Sequence, residues 1–139
     1  MNSDLQDFEQ FMKRREEAAR AYVNGEPEPV SRLSARSLPA TFFHPNGDDE
    51  QGAQQVSTRY ERDAQVFELG SDTRFEILQM AASDGIGYWV GFQHATVRFK
   101  GQPEAVPMKL RVTEIFRRED GEWKMVHRHA DPLKSGSKE

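Results

Sequence analysis

The sequence predicts an α+β fold in which N-terminal helices pack in a curved, mostly antiparallel sheet. Apolar residues recur at helical spacing near the N-terminus and again over 53–67, and the period changes to strand-like runs after Gly70-Ser71-Asp72. Those runs are separated by Ser-Asp-Gly, Lys-Gly-Gln-Pro and Glu-Asp-Gly, each a turn signal. Helices first and consecutive antiparallel strands after them place the helices on one face of the sheet.

The first helix starts from Ser3 or Asp4 as N-cap and carries Leu5, Phe8, Phe11, Met12, Ala18, Ala19, Tyr22 and Val23 on its apolar side. Lys13-Arg14-Arg15 beside Glu16-Glu17 reads as its solvated face. Asn24-Gly25 stops it, and Glu26-Pro27-Glu28-Pro29 makes a stiff link to a short second helix through Val30, Leu33 and Ala35. Residues 39–45 form a short strand closed by Pro45-Asn46-Gly47. The acidic run Asp48-Asp49-Glu50 lacks the ligand spacing of a calcium loop and is expected to be a solvated helix start. A third helix spans 53–68 through Val56, Tyr60, Ala64 and Phe67. Strands then follow at 74–82, 86–100, 105–118 and 122–130.

A chain of 139 residues without repeats fits one domain, expected over 1–133, with a flexible polar tail over 134–139. Its net charge of −4, from 23 acidic and 19 basic residues spread along the chain, argues against a nucleic-acid partner. There is no cysteine, which excludes disulfides, thiolate metal sites and cysteine nucleophiles. The start MNSDLQDF has no signal-peptide pattern and no run is long enough to span a bilayer, so a soluble cytoplasmic protein without a membrane partner is expected.

The most informative stretch is the last hairpin, Met108 to Pro132. Trp123, His127 and His129 fall at even spacing after the turn at Asp120-Gly121, so a regular strand points them to one face. In a two-residue turn Glu119 faces Glu122 and the pairing runs Arg118–Trp123, Phe116–Met125, Glu114–His127 and Val112–His129. That register gathers Leu110, Val112, Phe116, Trp123 and Met125 on one face and leaves Lys109, Arg111, Arg117, Lys124 and Arg128 on the other. In a three-residue turn with Gly121 left-handed, the histidine face meets Arg111, Thr113 and Ile115 instead. The first register is preferred because it separates apolar from charged residues, which a one-residue slip would forfeit.

The preferred register pairs Glu114 with His127, and a carboxylate can orient an imidazole and stabilise its protonated form, as acid–base catalysis requires. His129 lies one step further along. The structural alternative is that both histidines are core residues satisfied by Glu114, backbone or water. A metal reading of His127 and His129 with His44 lacks a third ligand at recognised spacing, so no metal or cofactor is expected.

The order of elements, the Phe42-Phe43-His44-Pro45-Asn46-Gly47 stretch, and the ending LRVTEIFRREDGEWKMVHRHADP together resemble the SnoaL-like branch of the nuclear transport factor two-like superfamily. That superfamily includes ketosteroid isomerase and scytalone dehydratase. The nearest branch is the association domain of calcium/calmodulin-dependent protein kinase, on Arg111-Val112, Arg118-Glu119-Asp120-Gly121-Glu122-Trp123 and Val126-His127-Arg128-His129. The resemblance implies a cone-shaped α+β barrel, with a sheet wrapped around the first helix, a pocket at one end, and a homodimer formed through the outer sheet face. The tyrosine and aspartate dyads of ketosteroid isomerase have no match here. Where the family ends in His-x-His-x-Ser, this chain has Ala130-Asp131.

On this basis the catalytic candidates are His127, Glu114 and His129. The ligand-binding candidates are Trp89, Gln93, Tyr60, Tyr22 and Phe43, with Arg111 and Thr113 in the alternative register. Aromatic residues at such spacing also suit a plain core. A few polar groups in an aromatic cavity suit a small apolar organic ligand with a carbonyl or hydroxyl group. Two functions follow: a small-molecule pocket protein whose enzymatic form is a lyase or isomerase using His/Glu chemistry, or a non-catalytic dimerisation module.

Overall fold

The structure is a computed structural model and describes residues 3–133. The expected tail over 134–139 lies outside the described residues. Helix α1 (Ser3–Val23) buries Phe8, Phe11, Met12, Ala18, Ala19 and Val23, the stripe its spacing predicts. Because it begins at Ser3, Asp4 lies in its first turn rather than at an N-cap, and its carboxylate accepts from the Gly85 backbone N–H at 2.9 Å and from Arg118 at 3.0 Å. Helix α2 (Glu28–Leu33) places Pro29 in its first turn, where the missing N–H costs nothing.

Strands β1 (Thr41–Phe43) and β2 (Asp49–Gln51) make a small hairpin before helix α3 (Ala53–Asp63). Asp49-Glu50 thus enters a strand rather than a helix start, and Asp48 and Glu50 reach Arg59 at 3.4 and 3.0 Å. α3 ends at Asp63 in a short 3-10 turn, Ala64–Val66, earlier than the spacing suggested.

The remaining strands are β3 (Phe67–Ser83), β4 (Ile86–Phe99), β5 (Val106–Glu119) and β6 (Glu122–Pro132). The Gly70-Ser71-Asp72 break lies within β3, as a register shift between Glu68 and Asp72. Asn24, just past α1, holds that irregular segment by accepting from the Gly70 and Ser71 N–H groups at 3.0 and 3.1 Å.

All six strands form one sheet in the order β2-β1-β6-β5-β4-β3. Every pairing is antiparallel except β1 on β6, which is parallel, so the sheet is mixed at one edge. The helices cover its inner face. Phe8 packs edge-on against Phe116 and Trp123, with ring centroids 5.3 and 5.1 Å away. A Cβ at Gly87 would stand 2.9 Å from the Phe8 ring, so glycine there lets α1 lie close to β4.

The last hairpin has the preferred two-residue turn: Glu119 faces Glu122, and Asp120 and Gly121 have φ of 54° and 82°. The pairing then runs as expected through Arg118–Trp123 and Phe116–Met125 before it slips. A bulge sets Ile115 opposite His127, Glu114 opposite Arg128, and Thr113 opposite His129. Val126 is the extra residue, and beyond it every side chain of β6 has changed face.

Candidate functional site

The bulge decides which groups meet inside the cone. Trp123, Met125, Arg128 and Ala130 are buried on the inner face, while His127 and His129 project to the outer one. The expected Glu114–His127 pair therefore does not form. His127 Nδ1 instead lies 2.7 Å from Thr41 Oγ1, and the Phe43 ring packs edge-on against both His127 and His129. Burial, and then His129, push the His127 pKa below its usual value. His129 Nε2 lies 3.5 Å from Asp131, whose other oxygen accepts from Arg111 at 2.6 Å. Thr113 pairs with His129 on this outer face. The histidine face thus does meet Arg111, Thr113 and Ile115, by way of a bulge and not a three-residue turn.

Inside, Glu114 is fully buried, and four donors surround its two oxygens. Arg15 Nε and Trp89 Nε1 donate to Oε1, each at 2.9 Å; Arg15 Nη2 donates to Oε2 at 2.7 Å, and Arg128 Nη1 also donates to Oε2. Burial alone would push the Glu114 carboxyl up, but the charges of Arg15 and Arg128 outweigh it and hold the pKa at about 2. Glu114 is thus a fixed anion and no proton carrier near neutral pH. Arg128 Nη2 donates to Gln93 Oε1 at 2.7 Å, and Gln93 Nε2 donates to Thr73 Oγ1 at 3.0 Å, which fixes the Gln93 amide.

Above this layer lies a cavity of about 150 Å³. Its polar wall is Arg15, Arg128 and Gln93 with Tyr22, Tyr60, His44 and Asp63, and its apolar wall includes Phe42, Phe67, Val97 and Leu110. Trp89 stands behind the wall, tied to Glu114. Tyr60 packs against both Phe42 and Tyr22, with ring centroids 4.8 and 6.0 Å away. Burial raises the pKa of both phenols well above their usual range, so each stays a neutral donor.

His44 follows β1, and its ring lies over Phe42 with centroids 3.7 Å apart. Its Nδ1 lies 3.8 Å from Asp63 Oδ2, and its buried Nε2 has no hydrogen-bond partner among the described residues. Asp63 is held in turn by Arg59 Nε at 2.8 Å. Burial, then the positive charge of Arg59, lower the His44 pKa, against the opposing pull of Asp63. The ring is accordingly neutral and basic at physiological pH.

Of the residues singled out in the sequence, Tyr22, Tyr60 and Gln93 line the cavity, Glu114 and Trp89 support it, and His127, His129, Phe43, Arg111 and Thr113 lie outside it. Arg15, Arg128, Asp63 and Arg59 were missed. Arg15 could have been found: it falls on the helical stripe of Phe8, Phe11, Met12, Ala18, Ala19 and Tyr22, where a solvated residue has no place. Arg59 follows Val56 by one turn in the same way.

Among known families, the model of the SnoaL-like domain matches residues 7–132. The chain belongs to the SnoaL-like family. No curated protein matches the sequence. Solved structures share the fold of this SnoaL-like protein at low identity. A candidate dehydratase of the NTF2-like family from Streptomyces avermitilis is 20% identical, with 94% of this chain and 98% of that one covered at a TM-score of 0.71. An NTF2-like superfamily protein from Salmonella enterica is 17% identical, with 96% and 94% covered and a TM-score of 0.76. A candidate scytalone dehydratase from Novosphingobium aromaticivorans is 13% identical, with 91% and 82% covered and a TM-score of 0.74. Among the described residues no helix is long and apolar enough to cross a membrane, and no cluster of ligating side chains could hold a metal ion.

Proposed function

We propose that the cavity binds a small, largely apolar organic molecule bearing a carbonyl or hydroxyl oxygen, and that His44 moves a proton on it, as in an isomerase or dehydratase. The observation that carries this is His44 itself: a neutral imidazole on the cavity wall, its Nδ1 facing Asp63 and its Nε2 without a partner among the described residues. Nε2 takes a proton from the carbon beside the carbonyl. The electrons move into the carbonyl, and the negative oxygen is held by the neutral Tyr60 phenol or a guanidinium N–H. The imidazolium, steadied by Asp63, then returns the proton to a different carbon, or to a hydroxyl leaving as water. His127, Glu114 and His129 take no part in this scheme. The cytoplasmic setting expected from the sequence belongs to the same proposal.

The test uses 3-cyclohexenone in D2O, followed by proton NMR. The wild type should speed deuterium uptake at the carbon beside the carbonyl, and His44→Gln, checked for folding by circular dichroism, should lose at least tenfold of that. An unchanged rate in the folded variant removes His44 from the chemistry.

A specific observation also favours self-association. The outer sheet face carries Leu78, 58% exposed, beside half-buried Val90 and Phe92, and towards its other edge Phe43, 42% exposed, against His127 and His129. A second copy docked on this face would cover them, and a homodimer is compatible with the pocket.

A further inference from the structure

We infer that the ligand of this cavity carries a carboxylate, received by Arg15 and Arg128. The inference rests on the pocket reading above and deepens it, because it changes the expected ligand from a neutral molecule to a compact organic acid.

Formal charge carries the first step. Arg15 and Arg128, 3% and 8% exposed, share one carboxylate, Glu114, which is itself wholly buried. Two guanidiniums against one carboxylate leave this layer one positive charge in excess. Glu114 cannot neutralise more, because its oxygens already accept from Arg15, Trp89 and Arg128. Tyr22 and Tyr60 stay neutral phenols, as burial drives their pKa values upward.

Unused donors carry the second step. Among the described residues the buried Arg15 Nη1 has no hydrogen-bond partner, a costly state for a guanidinium N–H unless something accepts from it. Arg128 spends Nη1 on Glu114 and Nη2 on Gln93, and its Nε makes no hydrogen bond among the described residues. Both residues line the same cavity. A carboxylate presents two oxygens and a negative charge, which match both the open donors and the excess.

The rest of the wall sets the orientation. Asp63, the acidic side chain on the wall, is committed to Arg59, which also holds Glu50 and Asp48. This acidic cluster surrounds His44, whereas the charges felt by Tyr60 are those of Arg128, Arg15 and Glu114. An acid therefore enters with its carboxylate toward the arginines and its apolar part along Phe42, Phe67 and Val97. Size limits it further: about 150 Å³ is the share of about five waters at ~30 Å³ each, which suits an acid near the size of benzoate.

The test is isothermal titration of the intact protein with a series of compact acids, benzoate among them, each beside its neutral amide. Acids should bind at least tenfold more tightly than their amides, and the preference should vanish in Arg15→Met. If the amides bind as well as the acids or better, the carboxylate inference is overturned while the pocket reading stands. If neither series binds, both fall. Should Arg15→Met fail to fold, the side-chain nitrogen resonances of Arg15 and Arg128 in the wild type decide instead: they shift with benzoate and not with benzamide, and equal shifts or none overturn the inference.

Discussion

Arg128 faces Glu114 across β5 and β6 because Val126 is bulged out of the ladder two residues earlier. The same bulge turns His127 outward to Thr41. The two sides of this exchange differ in energetic weight. Glu114→Gln leaves two buried guanidiniums without their counter-charge and should cost about 3–5 kcal/mol. His127→Ala loses one half-buried hydrogen bond and should cost about 1 kcal/mol or less. Urea unfolding of both variants measures the difference, and equal losses would speak against the bulged register.

The Glu114 carboxyl, held at about 2 in the folded protein against an ordinary value of 4.5, also predicts an acid limb of stability. A depressed folded pKa contributes stability that is present in full above pH 4.5 and is lost as pH falls toward 2. The contribution is on the order of 3 kcal/mol by linkage. Thermal unfolding of the wild type between pH 5 and pH 2 should steepen accordingly, and Glu114→Gln should flatten that limb.

His44 should titrate below 6.5, its ordinary value, because burial and then Arg59 disfavour its protonated form. Asp63 opposes them, so Asp63→Asn should lower the midpoint further. Histidine side-chain NMR across pH 4–8 reads both. A wild-type midpoint above 6.5 would mean that Asp63 dominates and that less of His44 is neutral and able to accept a proton at physiological pH than described.

Much of this architecture was legible because periodicity reports burial. The α1 stripe, the strand alternation of β4 that put Trp89 and Gln93 inside, and the two-residue turn at Asp120-Gly121 all follow from spacing and turn chemistry. The site was legible only in part. A bulge consumes one residue without any composition signal, so every β6 position after Val126 falls on the face opposite to the one its spacing from the turn predicts. Arg15 was read by its charged neighbours Lys13 and Arg14 and not by its place on the helix, because a buried arginine needs a partner that sits 99 residues away in sequence. Asp63 is likewise joined to His44 only by the β1–α3 packing.

Association through the outer sheet face predicts that Leu78→Asp, at a position 58% exposed and beside Val90 and Phe92, leaves the fold intact and weakens any dimer. Sedimentation of wild type and variant across a dilution series checks this. A wild type that is monomeric throughout would remove the outer face as a self-association surface.

The occupancy of the cavity is tested most directly by the protein's two tryptophans. The Trp89 indole N–H donates to Glu114 behind the cavity wall, at 2.9 Å, whereas Trp123 lies beneath Arg118, 4.3 Å from ring centroid to guanidinium carbon. In a nitrogen–proton spectrum titrated with 3-cyclohexenone and then benzoate, the Trp89 indole signal should move with ligand and the Trp123 signal should stay. Movement of Trp123 alone, or of neither at saturating ligand, would contradict a binding site on Arg15, Arg128 and His44.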